Sequence, residues 1–309
     1  MRFAKSDRED ELTIERIHHV KRYSLVLNKR ACKGCGICAI ICPKEAIEML
    51  KIPKAPGGKA KPPIVALSEK KCIYCGICEV ICPFGALKTK IDGEHLVPVL
   101  RTESFPKIIR RVDVNTAKCE VGCSDCEKDC PLGIIKTRRV SPLERAREIV
   151  RARKDKSAEL RALVDVQIDM CAGCRLCEFA CPQKAIITQK IFHGKITIDS
   201  EKCPEGCRDC LDVCPFSGVL CLDDRGKVRV NERNCTYCGV CSIVCPMEDA
   251  IELQRTYVHH TPIRSGAWNR ALEKLTTTQG LAKELETKGQ TKAMDAVRRR
   301  FTSGVEHDS

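Results

Sequence analysis

The chain has 309 residues, of which 43% are hydrophobic and only 4% aromatic, and it carries 25 cysteines with a formal net charge of +13. Length and hydrophobic content exclude a disordered or fibrous protein, and the scarcity of aromatics excludes one large aromatic-rich core. The charge would ordinarily point to nucleic acid or an anionic membrane, but the basic residues are spread through the chain with few aromatic stacking platforms, which argues against nucleic acid.

The N-terminal stretch MRFAKSDREDELTIERIHHVKR has no signal-peptide character, and no run of about 18 apolar residues occurs in the chain. A cytoplasmic chain without a transmembrane segment is expected. In that reducing compartment abundant cysteines are metal ligands more often than disulfides, and an odd total fits no closed disulfide set.

Residues 1–23 read as an N-terminal extension. A short alternating strand at Ser24-Leu25-Val26-Leu27 then leads into Cys32, Cys35, Cys38 and Cys42, followed by Pro43, a C-x2-C-x2-C-x3-C-P run. The stretch from Lys54 to Pro63, KAPGGKAKPP, has the composition of an exposed loop. The motif returns at Cys72, Cys75, Cys78 and Cys82 with Pro83. After a strand at Val112-Asp113-Val114 comes a form one residue longer in its first gap, Cys119, Cys123, Cys126 and Cys130 with Pro131. Ser141-Pro142-Leu143-Glu144 carries a capping-box pattern with proline at the first helical position, so a helical insert is expected over about 141–163.

Val164-Asp165-Val166 leads into Cys171, Cys174, Cys177 and Cys181 with Pro182, and His193-Gly194 reads as a turn. The longer form recurs at Cys203, Cys207, Cys210 and Cys214 with Pro215. Cys221 lies in the alternating segment Val219-Leu220-Cys221-Leu222 and reads as a strand residue rather than a ligand. A turn at Asp224-Arg225-Gly226 and a strand at Val228-Arg229-Val230 precede Cys235, Cys238, Cys241 and Cys245 with Pro246. Beyond the last motif Trp268, Ala271, Leu272 and Leu275 fall at helical spacing, as do Met294, Val297 and Phe301, which predicts a helical C-terminal tail that packs on its own modules or docks a partner.

Six such motifs account for all cysteines but Cys221. Their spacing suits a cubane, because three cysteines a few residues apart wrap one loop around three iron corners while the fourth thiolate comes from elsewhere. The proline removes a donor and fixes φ, which suits the start of a helical turn after the ligand. Four copies follow it with alanine and an aliphatic: Ala46-Ile47, Ala86-Leu87, Ala185-Ile186 and Ala250-Ile251. Gly36, Gly76 and Gly239 stand where the loop must pass close to the cluster. Structural zinc sites instead present two cysteine knuckles a dozen or more residues apart, so zinc is disfavoured. The histidines show no ligand-like spacing, which leaves a Rieske-type centre unsupported.

Cluster loading also explains the charge. With 24 thiolates around six oxidised cubanes, each core about +2, the formal +13 falls to about +1. Each motif is flanked by short alternating segments, as a small βαβ unit would be, and a unit of about 55 residues buries too little surface to fold alone. The clusters are therefore expected to act as structural staples as well as redox centres.

The six Cys-Pro runs resemble those of bacterial two-[4Fe–4S] ferredoxins strung in tandem as in archaeal polyferredoxins, over about residues 24–256. YSLVLNKRACKGCGICAIICPKEAIE and KCPEGCRDCLDVCP most resemble the polyferredoxin subunit of formylmethanofuran dehydrogenase. The resemblance implies an α+β fold of three tandem two-[4Fe–4S] modules, at 24–100, 101–196 and 197–258, with small βαβ units and a helical C-terminal extension at 259–309. It also implies that the fourth cysteine of each run ligates the other cluster of its module. Serial pairing then gives Cys32, Cys35, Cys38 with Cys82; Cys72, Cys75, Cys78 with Cys42; Cys119, Cys123, Cys126 with Cys181; Cys171, Cys174, Cys177 with Cys130; Cys203, Cys207, Cys210 with Cys245; and Cys235, Cys238, Cys241 with Cys214. A nested alternative, with the fourth and fifth motifs forming a module between the third and sixth, has equally ordinary spacing.

No Rossmann glycine signature, P-loop or nucleophile–base constellation is visible. The expected function is a non-catalytic wire with six centres in series, with Ile37, Ile41, Ile73, Ile77 and Val240 keeping water from the cubanes. The resemblance implies delivery of low-potential electrons to formylmethanofuran dehydrogenase in CO2 reduction, with a hydrogenase or heterodisulfide reductase at the other end. The alternative is an iron–sulfur subunit integral to another oxidoreductase complex.

Overall fold

The computed structural model describes residues 1–139, apart from Pro56 and Val121, and residues 162–276. The helical insert expected over about 141–163 lies outside the described residues but for Ala162 and Leu163, which belong to a strand, and the Met294, Val297, Phe301 pattern lies outside them altogether.

Three groups of elements repeat one plan. The first holds strands β1 (Arg2–Asp7), β2 (Glu11–Ile17) and β3 (Arg22–Asn28), helix α1 (Ile37–Ile41), β4 (Ile47–Leu50), β5 (Ile64–Leu67), α2 (Ile77–Ile81), β6 (Leu87–Ile91), β7 (Glu94–His95) and α3 (Pro98–Arg101). The second holds β8 (Val112–Val114), α4 (Asp125–Lys128), β9 (Ile135–Arg139), β10 (Ala162–Val166), α5 (Leu176–Ala180) and β11 (Ile186–Thr188). The third holds β12 (Phe192–Ile198), α6 (Asp209–Val213), β13 (Leu220–Leu222), β14 (Val228–Val230), α7 (Val240–Val244) and β15 (Ile251–Val258), and α8 (Gly266–Leu275) comes after it.

The four strands that bracket the two motif helices of each group pair antiparallel, the outer strand with the outer and the inner with the inner. These ladders are β3 with β6 and β4 with β5, β8 with β11 and β9 with β10, and β12 with β15 and β13 with β14. The expected strand–helix–strand order is present, but the strands flanking one helix belong to different ladders and do not pair with each other. A parallel βαβ crossover needs a dozen or more residues, usually a full helix, whereas these helices have four or five residues and their connections loop around the cysteines.

The first 23 residues are no detached extension. β1 and β2 form a hairpin that continues the first sheet in the order β1-β2-β3-β6-β7, and the alternation of β2 turns Leu12 and Ile14 into the core. The boundary expected between 196 and 197 cuts through β12, which pairs with β15 over its whole length. His193-Gly194 is not a turn between modules but a register shift inside β12, where a side chain on Gly194 would meet the Gln254 carbonyl at 2.1 Å.

One cluster of buried residues runs from Leu12 through the first group to Val258 and Trp268 of the third, and a smaller one gathers Cys126, Ile134, Ile135, Cys177 and Ile186. The KAPGGKAKPP loop leans on α6, where Asp209 takes the Lys54 ammonium and Asp212 accepts from the Ala60 N–H at 3.0 Å. In α8 all four residues at helical spacing are buried, with Trp268 edge-on to Phe105 at 5.1 Å. Ser265 caps the helix by accepting from the Ala267 and Trp268 N–H groups.

Candidate iron–sulfur centres

Each motif helix starts just before its third cysteine. In three short-gap motifs the turn into it is made by Gly36, Gly76 and Gly239 at φ 74°, 83° and 94°, and in the fourth by Arg175 at 67°. The proline forces the cysteine before it out of helical conformation. ψ is 117° at Cys42, 114° at Cys82, 109° at Cys181, 118° at Cys214 and 127° at Cys245, so the helix stops there and the fourth sulfur leaves its own loop. After Pro43 and Pro83 the chain makes a tight turn rather than a helical one, closed by the Glu45 N–H on the Cys42 carbonyl and the Gly85 N–H on that of Cys82. The alanine beyond this turn is buried and donates its N–H back to the fourth sulfur: Ala46 to Cys42 at 3.3 Å, Ala86 to Cys82 at 3.4 Å and Ala185 to Cys181 at 3.2 Å.

The motif helices pack in serial pairs, α1 on α2, α4 on α5 and α6 on α7. The result brings the cysteines together in crossed sets. One cavity is lined by Cys72, Cys75, Cys78 and Cys42, a second by Cys32, Cys35, Cys38 and Cys82, and a third by Cys171, Cys174, Cys177 and Cys130. The remaining motifs cross in the same sense: Cys119 and Cys126 lie within electrostatic reach of Cys181, Cys203 and Cys210 of Cys245, and Cys235 and Cys241 of Cys214. Cys221 stands apart, exposed on β13.

Burial, reinforced by neighbouring sulfurs, pushes the Cys126 thiol up to about 11 and the Cys174 and Cys210 thiols up to about 12. Those groups are neutral until a metal displaces their protons. Crowded sulfurs with raised proton affinity suit a polynuclear centre that supplies its own positive charge. The lining fits too, since Ile37, Ile41, Ile77 and Val240 are buried, although Ile73 is 45% exposed. Thr89 Oγ1 is buried without a hydrogen-bond partner beside Gly76, while its counterpart Thr188 Oγ1 lies 3.4 Å from Cys177 Sγ. Among the described residues no three Cys, His, Asp or Glu form a single-ion site, and His193 pairs only with His259 and its neighbours.

Two sets of residues escaped the motif pattern. Glu79, Glu127 and Glu178 each come directly after a third cysteine and accept the backbone N–H of a threonine ten residues on, Thr89 at 2.6 Å, Thr137 at 2.8 Å and Thr188 at 3.0 Å. They tie each helix to the strand behind it, and the Thr137 bonds hold the Glu127 carboxyl down at about 2. The repeated C-E…T spacing was a legible signal. The second set is cationic and sits on cysteine carbonyls: Arg16 on Cys72, Arg110 on Cys82 and Cys171, and Arg255 on Cys238. A lone arginine in a strand or loop carries no spacing signal.

Families described as 4Fe-4S dicluster domains match this chain at residues 31–86 and 170–219, at 118–185 and at 195–246. The polyferredoxin-like subunit of aliphatic sulfonate oxidoreductase from Pyrococcus furiosus is 33% identical over 89 residues, covering 25% of this chain and 50% of that protein. Formate hydrogenlyase subunit 2 of Escherichia coli is 32% identical over 85 residues, covering 25% and 41%. The chain thus spans half or less of the length of these relatives. A chain of the formate dehydrogenase–heterodisulfide reductase–formylmethanofuran dehydrogenase complex from Methanospirillum hungatei superposes with a TM-score of 0.74 at 31% identity, covering 89% of this chain and 91% of that one.

Proposed function

We infer that this chain, which belongs to the polyferredoxin family of tandem 4Fe-4S dicluster proteins, is a non-catalytic electron-transfer subunit carrying six [4Fe–4S] clusters, two in each of three modules. The observation that carries this reading is the crossing of the cysteine sets, three sulfurs from one motif and the fourth from its serial partner. The ligands are the six serial quartets: Cys32, Cys35, Cys38 and Cys82; Cys72, Cys75, Cys78 and Cys42; Cys119, Cys123, Cys126 and Cys181; Cys171, Cys174, Cys177 and Cys130; Cys203, Cys207, Cys210 and Cys245; Cys235, Cys238, Cys241 and Cys214.

A cluster held in each of these sets would supply one-electron redox chemistry. The chain's own residues orient the thiolates, exclude water with buried isoleucines and valines, and direct N–H groups at sulfur. Tyr74 and Tyr237 add such donors, to Cys72 and Cys235, both at 3.4 Å. Two contacts between modules bear on the order of the centres. Cys35 of the first module faces Cys238 of the third, and Arg110 joins the carbonyls of Cys82 and Cys171 across the first and second. These two contacts favour the quartets containing Cys35, Cys171 and Cys238 as the inner ones of the relay.

The Methanospirillum neighbour, a chain of a complex named for formylmethanofuran dehydrogenase and heterodisulfide reductase, supports the first as the acceptor and the second at the other end of the relay. Among the described residues no helix is long and apolar enough to cross a membrane. The match to formate hydrogenlyase subunit 2 favours a second reading, an iron–sulfur subunit integral to another oxidoreductase complex. Iron and sulfide analysis with EPR of the anaerobically purified protein is expected to give about 24 iron atoms per chain; about 12 would remove the six-cluster assignment. Identifying the proteins that co-purify with the untagged chain separates the two readings of its partners.

A further inference from the structure

Arg255 lies in β15 and is 7% exposed, at the place where the first and third modules meet. Its Nε donates to the Tyr237 carbonyl at 2.8 Å and its terminal nitrogen to the Cys238 carbonyl at 2.7 Å. Both acceptors are neutral. A guanidinium removed from water is strongly destabilising unless an anion answers it. It lines one cavity with Cys35 from one quartet, and Cys238, Cys235 and Cys241 from another lie within electrostatic reach of it, so the negative charge that answers it is the one those sulfurs carry once a metal displaces their protons. Binding two carbonyls does not require a charge, whereas sitting between two sets of thiolates makes use of one.

We propose that Arg255 is the shared counter-ion of two neighbouring clusters, the one held by Cys32, Cys35, Cys38 and Cys82 and the one held by Cys235, Cys238, Cys241 and Cys214, and that it raises the reduction potential of both. This rests on the six-cluster reading above. A fixed positive charge stabilises the reduced, more negative state of each site and so offsets part of the cost of reducing both. When one electron passes between the two sites, one is oxidised as the other is reduced; the guanidinium keeps all its protons and its two carbonyl bonds throughout. Arg255 is thus a positioning residue for charge.

The test is an EPR-monitored redox titration, with iron analysis, of the full-length loaded protein and of its Arg255→Gln and Arg255→Lys variants. Arg255→Gln with full iron is expected to lower two of the six potentials enough to shift their reduction equilibria at least about tenfold, 59 mV for a one-electron couple, and to leave the other four in place. Arg255→Lys is expected to restore most of that shift. Unchanged potentials in a fully loaded Arg255→Gln protein would overturn the proposal, as would a lysine variant as shifted as the glutamine one. Should Arg255→Gln fail to load the two sites, a lysine variant that loads them at wild-type potentials supports the charge, and one that fails equally shows that only shape matters. A wild-type iron content far below six clusters would instead bring down the reading on which the proposal rests.

Discussion

Three residues beyond the fourth cysteine of the first four motifs the backbone turns left-handed, at Glu45 with φ 48°, Gly85 with 59°, Gly133 with 63° and Lys184 with 50°. Glutamate and lysine show that the conformation alone does not demand glycine. Gly85 differs because a Cβ there would sit 2.6 Å from the carbonyl oxygen of Asp169 in the next module. Gly85→Ala is therefore expected to destabilise the loaded protein by about 1–3 kcal/mol, read as a lowered midpoint in anaerobic thermal unfolding; a midpoint equal to wild type would show that the two modules are not held this closely. At this scale the motif cysteines that the structure brings together were legible because their spacing repeats six times. Glu79, Glu127 and Glu178 were legible in principle through their threonines, whereas Arg110 and Arg255 become visible only when two modules are brought together.

The strands and helices were legible in order but not in partnership. Ser24 to Leu27, Val112 to Val114 and Val228 to Val230 all lie in strands, yet local alternation carries no information about which strand pairs with which. The Cys-Pro step decides it by ending each helix after one turn and leaving no crossover long enough for a parallel pair. The C-terminal helix α8 behaves as a strut. Its indole is fully buried between Phe105 and His260, and the helix packs on α1. Trp268→Ala is expected to cost about 3–5 kcal/mol, measured by the same unfolding assay with iron content as control. A loss below about 1 kcal/mol would instead make the helix an accessory that a partner could lift away.

At the scale of the whole molecule, the first and third modules share one buried cluster, which Ala172 of the second joins, while Cys126, Ile134, Ile135, Cys177 and Ile186 of the second form a smaller one. Many of the buried residues are the cysteines themselves. Hydrophobic burial alone is a weak source of cooperativity here. Iron removal by a chelator under reducing conditions is expected to abolish the cooperative thermal transition and most of the far-UV dichroism; a sharp transition retained by the iron-free chain would show that the polypeptide folds without its staples. The total charge was legible from composition, but the places where cations stand on cysteine carbonyls were not, because they depend on how distant stretches of the chain come together, within a module for Arg16 on Cys72 and across two modules for Arg110 on Cys82 and Cys171.

The proposed exchange of the fourth cysteine between motifs also has a consequence for synthesis. A growing chain that has released Cys32 through Cys42 from the ribosome holds four thiols of one run and no complete set for either centre. With ligands shared in this way, the set holding Cys42 closes only when Cys78 has emerged, and its neighbour waits for Cys82. The scaffold machinery that delivers iron and sulfide would therefore meet each module as a single all-or-none client, two cofactors at a time, after its second run has left the tunnel.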